Sequence, residues 1–275
     1  MSVLTMQKRN IDVDEIIRER NRVNAEHDAR VARRKAERAA RRAKVQTERE
    51  ARRLAAEPER IRRQALNEAP RRALSEEIAN AITHGLGAVF GIVALILMIV
   101  HSGSGLQLMA ALFYGICLIL LFTISCLYHS FRWGSTVKRV FRRFDYSSIY
   151  LLIGGTFAPM FLVYWGNRLG IFLFVTQWII IVTGITLIAV FGPSRFRPLH
   201  MVLYVAIGWS ALMFLPGMLR TDVTLFWFTL LGGMLYTLGI VPFAIKVRGS
   251  HLIWHFFVLG GALTQWIGIY QCLYS

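Results

Sequence analysis

The chain has 275 residues, of which 55% are hydrophobic and only 17% charged, and its formal net charge is +16. This composition excludes a fully disordered chain and is too apolar for an ordinary soluble domain. The three cysteines lie in apolar stretches without a CxxC spacing, which argues against a disulfide scaffold and against a thiolate zinc site. They are Cys117, Cys126 and Cys272.

Charge is concentrated at the N-terminus. Residues 1–75 contain 21 of the 32 Lys and Arg residues and 12 of the 16 Asp and Glu residues. The first glycine is Gly85 and the first aromatic residue is Phe90, so this segment has little with which to build a core. The sequence therefore predicts two domains: a basic tail over 1–75, helical or disordered, and a membrane domain over 76–275.

Within the tail, the stretch from about Asp12 to Leu66 is rich in Arg, Ala and Glu, which favours a solvated helix, and Pro58 is the only breaker in that stretch. Its 21 basic and 12 acidic residues leave a net charge of +9. Such a charge beside a membrane can attract anionic lipid headgroups, whereas a solvated charged helix without a partner is the simpler alternative. Nucleic acid is disfavoured, because the tail has no aromatic residue for stacking and no recognisable motif.

The rest of the chain predicts an all-α membrane protein, a seven-transmembrane helix bundle. A helix needs ~20 predominantly apolar residues to cross a bilayer, and short polar joints divide this region into seven such stretches. We place them near 80–101, 106–129, 145–165, 169–191, 199–218, 223–244 and 251–273.

Lys and Arg in the joints predict the orientation. The joints after the second, fourth and sixth spans hold nine basic residues, whereas the opposite joints hold only Arg168 and Arg220. Basic joints remain on the cytoplasmic side. We therefore expect an integral protein of the plasma (inner) membrane, with the tail in the cytoplasm and the C-terminus outside.

Polar residues from several spans then meet at one depth. His129 ends the second span, Asp145 starts the third, and His251 and His255 start the seventh, so all should lie near the cytoplasmic face. His84, at the start of the first span, belongs to the same layer, although its role is not defined by the pattern. Ionisable groups at membrane depth indicate a functional site.

Histidines in this layer have the spacing of a metal site. His251 and His255 are four residues apart and share a helix face, and His129 comes from a second helix. Three neutral imidazoles and a water make the open tetrahedral geometry of catalytic zinc. Zinc held by these three residues is our prediction. Two interfacial histidines at a helix start are the plain alternative for the His251–His255 pair alone.

The spacer between His251 and His255 lacks the glutamate of the HExxH motif, so a general base must come from elsewhere. Asp145 is the only carboxylate near the inner ends of the second and seventh spans and could hold or deprotonate the water; the alternative is an ion pair with Arg142 or Arg143. Ser125, one turn before His129, could hydrogen-bond that water, or simply the carbonyl four residues back.

Four motifs together resemble the prokaryotic hemolysin III family, which belongs with the progestin and adipoQ receptors. The motifs are Glu77-Ile-Ala-Asn80-Ala-Ile-Thr-His84, Ser125-Cys-Leu-Tyr-His129, Asp145 followed by Gly154-Gly155-Thr156-Phe-Ala-Pro159, and His251-Leu-Ile-Trp-His255. The resemblance covers about residues 76–275 and implies a seven-helix bundle with zinc near the cytoplasmic face. It implies that the zinc is held at His129, His251 and His255, with Asp145 beside the water.

Three classes of function follow. The wider superfamily includes alkaline ceramidases, which implies a zinc-dependent hydrolase of a lipid amide or ester, with membrane lipid as partner and substrate. The family name implies a pore-forming cytolysin instead. A receptor-like bundle with structural zinc is the third class. Asp145 and Ser125 favour the hydrolase, because a purely structural metal needs no base. The substrate and the oligomeric state are not defined by the sequence.

Overall fold

The structure is a computed structural model, and it describes residues 13–67, 71–213, 215–245 and 247–275. The described residues form helices and no strand. By its contacts the chain divides into two compact units, Met1–Arg63 and Gln64–Ser275.

The first helix, α1, spans Val13–Asn67 and continues through Pro58. The apolar side chains that the structure describes on this helix, among them Val31, Val45 and Leu54, are exposed. Ion pairs one turn apart, such as Arg33 with Glu37 at 3.2 Å, join charged side chains along its surface. The described part of the tail is therefore helical, and almost all of its described side chains are exposed.

Among the described residues, seven further helical segments are long and apolar enough to cross a membrane, so the predicted number of spans is confirmed. They cover Leu74–Val100, Gly105–Ser130, Thr136–Tyr164, Arg168–Phe191, Arg197–Thr221, Val223–Ala244 and Ser250–Leu273. The helices in these spans are α2 (Leu74–Val100), α3 (Gly105–Ser130), α4 (Thr136–Pro159), α5 (Arg168–Phe191), α6 (Arg197–Gly208), α7 (Leu215–Thr221), α8 (Val223–Ile245) and α9 (Ser250–Leu273). The fold is a seven-helix membrane bundle.

Short polar side chains start several of these helices. Ser104 accepts a hydrogen bond from the backbone N–H of Gln107 at the start of α3, and Asn167 does the same for Gly170 at the start of α5. Such caps satisfy backbone donors that a helix leaves unpaired at its N-terminus. The joints between spans can therefore be only a few residues long.

The third span begins nine residues earlier than predicted, at Thr136 rather than Asp145. Ser135 caps this start by accepting from the Lys138 backbone N–H at 3.1 Å. The prediction treated Lys138 and Arg142 as residues of a polar joint, but both are buried on the first turns of α4. The first span likewise begins at Leu74 rather than near residue 80, because Glu76 and Glu77 lie in its first turn, where acidic side chains stabilise a helix.

Pro159 changes the geometry of the third span. The α-helix ends at this proline and a π-helical turn, Met160–Tyr164, completes the span. Proline removes a backbone donor and perturbs the hydrogen-bond ladder of the preceding turn, so a local irregularity is its expected effect. In the fifth span, α6 is followed by a 3-10 turn, Trp209–Met213, and then by the short helix α7.

Close helix contacts hold the bundle together at small residues. A Cβ added at Gly155 of α4 would lie 2.5 Å from the Cβ of Cys117 on α3. Large apolar side chains, such as Leu86, Val89 and Phe172, point outward from the bundle. Because lipid is as apolar as these side chains, packing and interior hydrogen bonds rather than the hydrophobic effect decide which faces turn inward.

Candidate metal centre

Three histidines form a cluster where α3 ends and α9 begins. His129 lies on the last turn of α3, and His251 and His255 occupy the first turns of α9, four residues apart. One ligand atom from each of the three lies within 4.8 Å of the others. His129 and His255 are buried, and His251 is partly buried. The structure thus brings together the three residues predicted as metal ligands.

The nitrogens of this cluster suit a metal ion. His129 Nε2, His251 Nε2 and His255 Nδ1 are buried and have no hydrogen-bond partner in the described part of the chain. Burying polar atoms without a partner is costly, and a shared cation would satisfy all three at once. Three imidazoles suit zinc and other late first-row metals, so the donor set fits a metal without defining which one.

Asp145 and Ser125 lie beside the histidines. Ser125, buried one turn before His129 on α3, lies within hydrogen-bonding reach of the Asp145 carboxyl group on α4. The Asp145 carboxyl group is also close enough to His129 for a direct electrostatic interaction. Arg142, one of the alternative partners predicted for Asp145, donates to Ser194 Oγ at 2.8 Å and is also close enough to the Asp145 carboxyl group to interact with it electrostatically. A carboxylate is therefore available next to the cluster.

Glu77 is a site residue to which the sequence reasoning assigned no role. It is buried on the first turns of α2, and its Oε2 lies 2.6 Å from His129 Nδ1. Lys138, itself buried, places its ammonium group 3.2 Å from the same oxygen. Glu77 is the first residue of the first of the four motifs. It lies seven residues before His84, which places both on the same helix face, and this spacing was the signal available in the sequence.

His84 packs directly on the cluster. Its ring stacks on His255 with centroids 3.6 Å apart and planes inclined by 10°. Both of its ring nitrogens are buried without a hydrogen-bond partner among the described residues, and so are both amide atoms of Asn80, one turn earlier. The layer of polar residues predicted from the sequence therefore includes α2, although His84 is not a member of the three-residue group.

An apolar cavity of about 110 Å³ adjoins this layer. Leu121, Ile149 and Val258 line it, and they lie about one helical turn deeper in the bundle than Ser125, Asp145 and His255 respectively. The wall is completed mainly by aromatic and aliphatic side chains of α4, α6, α8 and α9, with a few polar groups such as Gln265. The cavity therefore offers space for an apolar group about one helical turn from the polar layer.

A buried histidine cluster at one end of seven spans defines the class: a membrane-embedded helix bundle with a candidate metal centre. The chain belongs to the haemolysin III family, because the family profile described as haemolysin-III related matches residues 72–266. This match confirms the resemblance drawn from the four motifs.

Individual relatives agree with this assignment. Hemolysin-3 of Bacillus cereus is 38% identical over 195 residues, which cover 69% of this chain and 88% of that protein. The Hemolysin-3 homolog of Bacillus subtilis strain 168 is 35% identical over 197 residues, covering 70% and 92%. The human monocyte to macrophage differentiation factor is 28% identical over 209 residues, covering 72% and 85%. These matches cover 69%, 70% and 72% of this chain and leave the rest of it unmatched.

Proposed function

We propose that this membrane protein is a zinc-dependent hydrolase that cleaves an amide or ester bond of a membrane lipid. The observation that carries the proposal is the position of Asp145: its carboxyl group lies close to His129, one of three clustered histidines that each have a nitrogen without a partner among the described residues, and about one helical turn from Ile149 in the wall of an apolar cavity. A metal that only stabilised the fold would need neither the carboxylate nor the cavity.

In this function His129, His251 and His255 hold the metal. Zinc in such a site acts as a Lewis acid and activates water as a nucleophile. Asp145 accepts the proton of the attacking water and returns it to the departing amine or alcohol, which is general acid–base catalysis. Ser125 holds the Asp145 carboxyl group in place through its hydroxyl. The cavity wall binds the acyl chain, so that the carbonyl group reaches the polar layer.

Turnover by the purified protein tests this proposal. The full chain in detergent should hydrolyse a ceramide-like amide or a phospholipid ester, a metal chelator should abolish the reaction, and Asp145→Asn should lower its rate by at least ~10²-fold. Activity that is indifferent to Asp145→Asn would show that the mechanism is wrong. No cleavage of either lipid by folded, zinc-loaded protein would favour a receptor-like bundle in which zinc is structural.

Cytolysis is a second candidate function, and the name Hemolysin-3 of the two Bacillus relatives favours it. A pore-forming protein should lyse red cells when added to them, whereas a lipid hydrolase confined to its own membrane should not. Suppose that wild type lyses red cells, that His255→Ala does not, and that neither protein hydrolyses lipid. This result would show that the protein is a cytolysin and not a lipid hydrolase.

For the basic tail we propose binding to anionic lipid headgroups at the inner membrane surface. Its support is the tail's net charge of +9 and the continuous exposed helix α1. Each basic residue near an anionic surface contributes ~1 kcal/mol of attraction, which salt weakens. Wild type reconstituted in nanodiscs should show a preference for phosphatidylserine over phosphatidylcholine. A variant lacking residues 1–60 should show a weaker preference. Equal recruitment would leave the tail as a solvated helix.

A further inference from the structure

Glu77, the residue missed in the sequence, makes the shortest polar contact of the candidate metal centre. Its Oε2 lies 2.6 Å from His129 Nδ1, between α2 and α3, 52 residues apart in the chain. The His129 side chain is fully buried and the Glu77 side chain is only 11% exposed. An ionised carboxylate has acceptors only, so His129 Nδ1 must carry the proton and donate it to this bond.

That bond determines which histidine nitrogen faces the metal. With the proton on Nδ1 and that nitrogen bonded to Glu77, the lone pair of His129 is on Nε2, which is buried without a hydrogen-bond partner among the described residues and is therefore the nitrogen left to bind a metal. A carboxylate on the outer nitrogen of a metal-binding histidine holds the ring orientation and makes the inner nitrogen a stronger ligand. The other two histidines, His251 and His255, lie four residues apart on one helix, so α9 itself sets their relative positions.

Lys138 holds Glu77 in turn. Its ammonium group donates to Glu77 Oε2 at 3.2 Å and to the backbone carbonyls of Tyr128 and Phe131 at 3.1 and 3.0 Å. Those carbonyls belong to the end of α3, where backbone acceptors lack helical partners and a cation is favoured. The side chain is 1% exposed, so all three donors of the ammonium group are used in a desolvated position.

We propose that Glu77 is the positioning residue of the metal centre, that it orients His129 as a ligand, and that Lys138 holds Glu77 against the end of α3. Metal affinity is then coupled to the joint between α3 and α4, because Lys138 lies on the first turn of α4. This role rests on the metal binding proposed above, and the experiment separates the two.

The experiment measures the affinity of the purified full chain for Zn²⁺ by competition with a chromophoric chelator. Glu77→Met removes the acceptor and should weaken Zn²⁺ binding by ~10–100-fold. Glu77→Gln keeps an acceptor oxygen but loses the charge, and should weaken binding by a smaller factor. Glu76→Gln is the matched control, because Glu76 is the neighbouring acidic residue on the same turn and shares Arg72 with Glu77, at 3.9 and 4.0 Å, but is not bonded to His129.

Each result has a distinct meaning. Wild type that binds no Zn²⁺ overturns the metal centre and this role with it. Wild type that binds Zn²⁺ no more tightly than Glu77→Met overturns the role alone. Should Glu77→Met fail to fold, Glu77→Gln decides: affinity equal to that of wild type overturns the role of the carboxylate.

A double variant distinguishes positioning from a purely structural ion pair. Lys138→Met should lower the thermal stability, since it removes the nearer of the two cations that pair with the buried Glu77 carboxylate and leaves only Arg72, at 4.0 Å. Glu77→Met with Lys138→Met removes both charges, and should recover thermal stability while its Zn²⁺ affinity remains as low as that of Glu77→Met. Recovery of wild-type Zn²⁺ affinity in the double variant would show that Glu77 serves only to neutralise Lys138, and would overturn the proposal.

Discussion

His129 connects every part of the candidate site. It clusters with His251 and His255, its Nδ1 is bonded to Glu77, its Nε2 is buried without a partner among the described residues, and Asp145 is close enough to interact with it electrostatically. An imidazole ring has two nitrogens, and those of His129 have different roles: Nδ1 bonds to Glu77, and Nε2 is left to bind a metal. Loss of this residue should therefore be more damaging to metal binding than loss of any polar neighbour in the layer.

The metal content of purified variants tests the role of His129 in metal binding. Purified wild type should carry about one zinc per chain, and His129→Ala or His255→Ala should lose it, because two remaining imidazoles make a weak site. His84→Phe should retain zinc, since it preserves the ring stack on His255 and His84 is not one of the three clustered ligands. Elemental analysis provides the measurement.

His101→Ala serves as the control for these variants. His101 follows the last residue of α2, at the opposite end of the bundle, where its Nδ1 contacts Leu97 O at 2.9 Å and Tyr270 Oη at 3.2 Å. Full zinc stoichiometry in both His129→Ala and His255→Ala would show that these histidines are not zinc ligands. Zinc lost from His84→Phe would add His84 to the ligands.

Helix α4 is the element that most depends on its neighbours. It carries Asp145 at the site, ends at Pro159, and presents Gly155 to α3 at a distance that admits no side chain. Between helices in lipid, contacts of this kind stabilise the bundle because there is no solvent to drive apolar faces together. The position of Asp145 against Ser125 therefore depends on the fit of α4 to α3.

Gly155→Ala should destabilise the bundle by roughly 1–3 kcal/mol, because its Cβ would overlap that of Cys117 and force the two helices apart. Thermal unfolding in detergent measures the effect. Gly260→Ala is the control: an added Cβ there would meet Leu235 Cδ1 at 3.8 Å, an ordinary contact. Equal unfolding temperatures for the two variants would show that the close approach at Gly155 contributes nothing.

The complete bundle presents its polar layer and most of its basic joints at the same end. The histidine cluster lies where α3 ends and α9 begins, and the Lys138–Arg143 stretch opens α4 at that end. Positive joints are retained in the cytoplasm, so the proposed metal centre would face the cytoplasmic leaflet. A lipid substrate would then reach it from the inner half of the bilayer.

Reporter fusions test this orientation. A reporter fused at Met1 should be active only in its cytoplasmic form, and one fused at Ser275 only in its external form, since seven spans place the termini on opposite sides. A cytoplasmic signal from Ser275 would contradict either the span count or the positive-inside argument. An external signal from Met1 would place the histidine cluster at the outer leaflet.

Several features could be predicted because they are local. Seven spans follow from hydropathy over lengths that a bilayer imposes, and the shared face of His251 and His255 follows from the helical repeat. Span starts were less predictable at the first and third helices. Charged residues such as Lys138 lower the hydropathy of a window, yet a capped helix can begin among them when the bundle buries their side chains.

Sequence alone determined the class of protein and the number of spans, because hydropathy acts within one segment, and it determined the three histidines of the candidate metal centre, because helical spacing pairs His251 with His255 and the alternation of spans brings the end of α3 and the start of α9 to the same side. Only the tertiary structure decided that Glu77 meets His129 and Lys138, that His84 stacks on His255, and that a cavity opens one turn beyond Asp145. Those contacts depend on the rotation and register of one packed helix against another. Side-chain packing across the whole bundle sets both, and no single segment encodes them.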